Sequence, residues 1–95
     1  MKRWRMDADA SADLLNIYTH VADDNPGAAH RLIELFHEKF LLLTNHSLLG
    51  ETRSELVPNL RSFSFKNYVI FYLPGNDGIR IVRIIHSAQD VDAIF

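Results

Sequence analysis

This chain of 95 residues has no cysteine, which excludes disulfides, thiolate chemistry and cysteine-based zinc sites. Long apolar runs are missing too. The longest, Tyr68 to Leu73, is far short of the roughly 20 residues a membrane helix needs. No apolar stretch of signal-peptide length follows Met1-Lys2-Arg3-Trp4-Arg5. The expectation is a soluble, cytoplasmic protein without membrane association. Positive charge is not in excess: 10 Lys and Arg stand against 12 Asp and Glu, a net of −2. Met1 to Glu55 carries six basic and nine acidic residues, and Leu56 to Phe95 carries four and three. Binding nucleic acid mainly through phosphates needs a denser positive surface. A protein partner is therefore expected, with no direct sequence-specific nucleic-acid binding, although a small local basic patch is compatible with these numbers. GxSxG, Walker, GxGxxG and HExxH signatures are all absent, and no cofactor is implied.

What is present is a globular composition, 47% hydrophobic and 23% charged, sized for one domain spanning residues 1–95. Lys2 to Met6 reads as a short strand with Trp4 between two arginines. Trp4 there suits core or sheet-edge packing better than an interface. Asp7, Asp9 and Asp13 then stand at a helix start, where carboxylates meet the positive end of the dipole. A calcium loop would also need a glycine and a closing glutamate, and both are missing. Leu14, Ile17, Tyr18 and Val21 follow at helical spacing. Asn25-Pro26 stops this helix and opens a second one reaching about Thr44. Its expected buried stripe is Ala29, Leu32, Ile33, Phe36, Phe40 and Leu43.

From Asn45 to Pro58 the periodicity lapses into a polar loop with apolar islands at Leu48-Leu49-Gly50 and Leu56-Val57-Pro58. Three β-type runs follow. Leu60 to Phe65 alternates as a half-buried strand should, and Lys66-Asn67 suits a tight turn. Tyr68 to Leu73 is apolar on both faces, so it belongs in the middle of a sheet. Pro74-Gly75-Asn76-Asp77-Gly78 is a strong turn signal. In the last strand, Ile79 to His86, strict alternation separates Ile79, Ile81, Arg83 and Ile85 from Arg80, Val82, Ile84 and His86. Ala88 to Phe95 suits a short helical turn or an extended end. The order is β-α-α-β-β-β, an α+β fold with a helical hairpin packed on one face of a largely antiparallel sheet.

Leu60-Arg61-Ser62-Phe63, Tyr68-Val69-Ile70-Phe71-Tyr72 and Ile84-Ile85-His86-Ser87-Ala88-Gln89-Asp90, in this order and spacing, resemble the ParE branch of the RelE/ParE superfamily. These are the toxins of bacterial type II toxin–antitoxin systems. The resemblance covers nearly the whole chain. It implies a toxin that inhibits DNA gyrase by binding, without catalysis of its own, and a ParD-like antitoxin as partner. The antitoxin's flexible segment would fold onto the helical hairpin and the sheet.

The resemblance also defines two alternatives. A RelE-like endoribonuclease cutting mRNA on the ribosome would use His86 with Arg83 and Arg61. Here that residue set is incomplete: Tyr68 stands where such nucleases tend to carry an arginine, and no tyrosine follows His86. An inactive antitoxin-binding module is the other alternative. Under the binding reading, Arg61, Arg80, Arg83 and His86, with Leu35 and Leu42 off the buried stripe, are the candidate target or antitoxin contacts. Arg61 and Arg83 could equally extend from the sheet to solvent. No metal site is expected. His30, Glu34, His37 and Glu38 share helical spacing, but one helix face rarely completes a tetrahedral site.

Overall fold

Asn25 and Pro26 stop one helix and start the next by simple chemistry. The Asn25 side chain accepts a hydrogen bond from the Ala28 N–H at 3.1 Å, and Pro26 fills a position whose N–H would be unpaired anyway. The computed structural model describes residues 2–95. It contains β1 (Arg3–Met6), α1 (Ala8–Asp24), α2 (Pro26–Asn45), β2 (Glu51–Thr52), β3 (Arg61–Phe65), β4 (Tyr68–Gly75), β5 (Gly78–His86) and α3 (Val91–Ile94). The sheet order is β1-β5-β4-β3-β2, with β1 parallel to β5 and the other pairs antiparallel. The expected α+β architecture is therefore present. One strand is added: two-residue β2 lies in the stretch read as loop, too short and too polar to show a period.

The doubly apolar run becomes β4, the central strand, as its composition requires. Ile70 and Tyr72 face the helical hairpin and join Leu32, Phe36, Phe40, Leu43, Ile79, Ile81 and Ile84 in the main core. Phe71 faces the other way, into a second cluster with Leu60 and Ile85. That second face is covered by Leu56 and Val57 of the 53–60 loop and by Val91 and Ile94 of α3. The Phe95 ring closes on Phe71 with centroids 4.8 Å apart.

Alternation along β5 breaks in the middle. Phe71 pairs with Arg83 but Tyr72 pairs with Ile81, so Val82 is the extra residue of a β-bulge. The bulge shifts the phase. Ile79, Ile81 and Ile84 all enter the helix-side core, while Val82 and Ile85 lie in the opposite cluster. This corrects the strict alternation, which grouped Ile85 with Ile79 and Ile84 with Arg80. The α2 stripe is buried as expected apart from Ile33, which is half-buried, and Thr44 adds to it by donating to the Phe40 carbonyl at 2.7 Å. In α1 only Ala10 is fully buried, and the stripe of Leu14, Ile17 and Val21 packs half-exposed against the core.

Phe36 is the hub of the helix-side core, with its ring 5.2 Å from Phe65, 5.4 Å from Tyr68 and 6.1 Å from Phe40. Phe36→Ala should lower stability by about 3–5 kcal/mol, read from thermal or denaturant unfolding. A melting curve identical to that of the unaltered protein would contradict this packing.

Candidate functional site

Cross-strand register assembles one end of the sheet. Phe65 pairs with Tyr68 and Tyr68 with His86, so three ring-bearing residues stand side by side on the helix-facing side. Tyr68 meets His86 edge-on, with centroids 5.7 Å apart. Lys39 of α2 lies over the Phe65 ring, its Nζ 5.4 Å from the centroid. Lys39 was not among the sequence candidates, because nothing local ties an α2 lysine to this edge. His86 is exposed, and its Nδ1 accepts the Ala88 N–H at 3.1 Å. Accepting there places the proton of the neutral ring on Nε2. The His86 N–H in turn donates to Gln89 Oε1 at 2.8 Å.

The arginines do not join this cluster. Arg83 sends Nε and Nη2 to the two carboxylate oxygens of Asp13 at 2.7 and 2.9 Å, a bidentate pair. Asp13 also accepts the Ile84 N–H at 2.9 Å, so one carboxylate covers the stretch of β5 that short β1 leaves unpaired. The hydrogen bond to Asp13 raises the Arg83 guanidinium above its ordinary value, against the opposing effect of burial. Arg80 makes the same kind of pair with Asp7, at 2.8 and 3.0 Å. Asp7 occupies the N-cap position of α1 but makes no side-chain cap bond. The expected capping role of Asp7 and Asp13 is thus replaced by tying α1 to β5, since a bidentate guanidinium outcompetes a single backbone N–H.

Arg61 is committed elsewhere. Its Nη1 donates to the Leu48 and Gly50 carbonyls at 3.1 and 2.7 Å. Arg61 pairs with Tyr72, four residues along β4 from the Tyr68 that pairs with His86, about 13 Å at strand rise. So Arg61, Arg83 and His86 are held at separate places, with both guanidinium groups bound to groups of the chain itself.

The Arg61 bonds belong to a latch on the 46–50 loop. The Tyr72 hydroxyl donates to the Ser47 carbonyl at 2.9 Å and accepts the Gly50 N–H at 2.8 Å. A Cβ at Gly50 would sit 2.6 Å from that hydroxyl and 2.7 Å from the Ser62 carbonyl oxygen, so only glycine fits. Burial raises the Tyr72 phenol above its ordinary value, opposed by the Gly50 N–H and by Arg61. Leu41 of α2 is exposed at 57%, and the loop held this way exposes Leu48 and Leu49, at 69% and 52%. Leu42, His46 and Ser47 complete a shallow cavity of about 570 Å³ with them. Leu42 and Leu35 are both half-buried. The island Leu48-Leu49-Gly50 was the sequence signal for this surface, but its link to Leu42 needed the fold.

The α2 residues with metal-like spacing diverge, His30 packing edge-on against Tyr18 and His37 against Trp4. No group of three or more His, Asp or Glu among the described residues is placed to hold a metal ion. Trp4 is half-buried, its ring 5.1 Å from Phe40.

Residues 5–91 match the family model described as ParE toxin of type II toxin-antitoxin system, parDE. The chain is 32% identical over 90 residues to Toxin RelE3 of Caulobacter vibrioides, covering 94% of this chain and 98% of that protein. Toxin ParE3 of the same organism is 28% identical over 88 residues, covering 87% and 84%. A solved structure titled as a chromosomal ParDE TA system from P. aeruginosa superposes with a TM-score of 0.74 at 25% identity, covering 90% of this chain and 96% of that one.

Asp13→Ala would strand Arg83 and the Ile84 N–H together, and should cost about 2–3 kcal/mol in chemical denaturation. A loss below about 0.5 kcal/mol would place the pair with surface ion pairs of no consequence. Tyr72→Phe should cost about 1–3 kcal/mol, because the Gly50 N–H loses its acceptor in a buried position. The raised Tyr72 phenol gives a sign as well. The unfolded chain ionises first, near pH 10, so this contribution is complete below that pH and fades as pH climbs through the higher folded value. Stability of the unaltered protein should therefore fall above pH 10 more steeply than that of Tyr72→Phe, and parallel alkaline profiles would count against this assignment.

Proposed function

Because this chain belongs to the ParE toxin family of type II toxin–antitoxin systems, we propose that it is a cytoplasmic toxin that inhibits DNA gyrase by binding. A ParD-like antitoxin neutralises it. The observation that carries the binding mode is the engagement of its arginines. General acid–base cleavage of RNA needs free cationic groups around the scissile phosphate. Arg83 is instead held by Asp13 through Nε and Nη2, and Arg61 by the 46–50 loop through Nη1. These side chains serve the shape of the surface, which supports recognition over chemistry. The gyrase target itself is what the ParE branch implies.

The antitoxin reading draws on the exposed apolar surface of Leu41, Leu48 and Leu49 with half-buried Leu35 and Leu42. Such a patch suits the apolar side of a segment that is disordered when free and folds on binding. Superposition on a ParDE structure supports a partner of this class. Arg61, Arg80, Arg83 and His86 act here as scaffold and rim residues around the contact surfaces.

One observation favours a second reading. His86 is exposed beside Tyr68, Lys39 lies over the Phe65 ring of the same row, and a relative carries the name Toxin RelE3. A ribosome-dependent endoribonuclease would use His86 as general acid or base, with Lys39 supplying charge.

Purified, antitoxin-free protein incubated with gyrase, ATP and supercoiled plasmid should accumulate linear DNA after detergent and protease. Intact plasmid, together with arrested translation in cells that His86→Ala relieves, would replace the gyrase reading with the nuclease. Unaffected growth under free protein that still copurifies with the neighbouring-gene antitoxin would identify an inactive binding module.

A further inference from the structure

Three arginines gather on the sheet face turned away from the helices, at the end opposite His86. In β1, Trp4 and Met6 pack into the helix-side core, so Arg3 and Arg5 project to the other face by strand alternation. Register sets Arg5 beside Arg80, and Arg80 beside Leu73. The next row runs Arg3, Gly78, Gly75 and carries no side chain but that of Arg3. Gly78 holds a φ of +129°, and a Cβ there would collide with the Arg3 carbonyl oxygen. Glycine is thus required for β1 to pair, and its consequence is a bare backbone shelf under a guanidinium. Asn59 and Asn76 border the same cleft, about 870 Å³ in volume. Arg80 is fixed by Asp7, whereas Arg3 and Arg5 make no ion pair among the described residues.

We propose that this cleft binds the phosphodiester backbone of DNA, with Arg3 and Arg5 each taking one phosphate and Asn59 and Asn76 donating amide hydrogen bonds. Guanidinium forks match the paired oxygens of a phosphate, and the glycine shelf lets a sugar–phosphate chain approach the sheet closely. A single charge on an edge strand would serve to block aggregation. Two arginines on one face, above a row stripped of side chains, go beyond that need. The choice of DNA over an acidic peptide rests on the gyrase reading, because gyrase works on DNA. The contact is to backbone only, so it reads no sequence. Asp77 also borders the cleft and limits its affinity.

The test is a ¹⁵N NMR titration of the antitoxin-free protein at low salt with a 12-base-pair duplex, and separately with a glutamate-rich peptide. Duplex should shift the amides of Arg3, Arg5, Asn59, Asn76 and Gly78, with a salt slope of about −2 for two phosphates. The double variant Arg3→Ser/Arg5→Ser should weaken binding by about tenfold or more and flatten the slope. Asp77→Asn should tighten it severalfold by removing a like charge. All three residues are exposed, so unchanged melting temperatures would show that the variants fold. Duplex binding that survives the double variant, no shifts in the cleft, or shifts produced by the peptide and not the duplex would overturn the proposal. Gyrase is absent from this experiment, so a failure here leaves the gyrase reading standing, and duplex binding by a protein that fails to trap gyrase would leave this one standing.

Discussion

Everything in this molecule is arranged around a strand that is buried on both sides. Ile70, Phe71 and Tyr72 of β4 are fully covered, each large side chain contributing roughly 1.5–3 kcal/mol, and a strand of that kind has no solvent-facing side. It needs neighbours on both edges and layers on both faces. β5 and β3 supply the edges. The helical hairpin supplies one face, and the second is covered by an irregular loop and a four-residue helix. The two coverings differ in kind. A hairpin of two long helices makes a rigid layer, while the loop and tail make a thin one with few residues over Phe71.

Polar groups then fix where the layers sit. Asp7 and Asp13 bind the start of α1 to Arg80 and Arg83 of β5, and Tyr72 with Arg61 binds the 46–50 loop to the middle strands. Both devices take strong hydrogen-bonding side chains out of circulation. The guanidinium groups of Arg61, Arg80 and Arg83 are thereby engaged in ordering the scaffold. What remains available is of two sorts: apolar side chains at Leu41, Leu48 and Leu49, and cationic ones at the edges of the sheet. Leu48 and Leu49 lie on a loop whose backbone is pinned at Gly50, so they are presented in one shape and lose little entropy on binding.

Register places a histidine–aromatic row and an arginine row at opposite ends of the sheet. His86, Tyr68 and Phe65 share a row at one end of β4, and Arg5 and Arg80 share a row at the other. About five residues of β4, some 17 Å at strand rise, separate them.

The sequence by itself determined the parts whose signals are local. Asn25-Pro26 broke the helices because a cap and a ring constraint act within one turn. Pro74 to Gly78 and Lys66-Asn67 set the two hairpins, and Lys66 does hold a left-handed φ of 55°. The doubly apolar Tyr68–Leu73 run could only be central. Residue types that carry the family resemblance were also legible, in their order along the chain. The tertiary structure alone decided what each charged side chain does. Asp13 and Arg83 are 70 residues apart, Asp7 and Arg80 are 73 apart, and no periodicity links them. The bulge at Val82 reversed the facing of Ile84 and Ile85, and β2 formed by pairing Glu51 and Thr52 with Ser62 and Arg61 of β3. Arg5 joined Arg80 through strand register, and Lys39 reached the Phe65 ring through the packing of α2 on the sheet. Local patterns fix dihedral angles and faces, but pairing depends on which distant strand lies alongside, and that is settled only when the core closes.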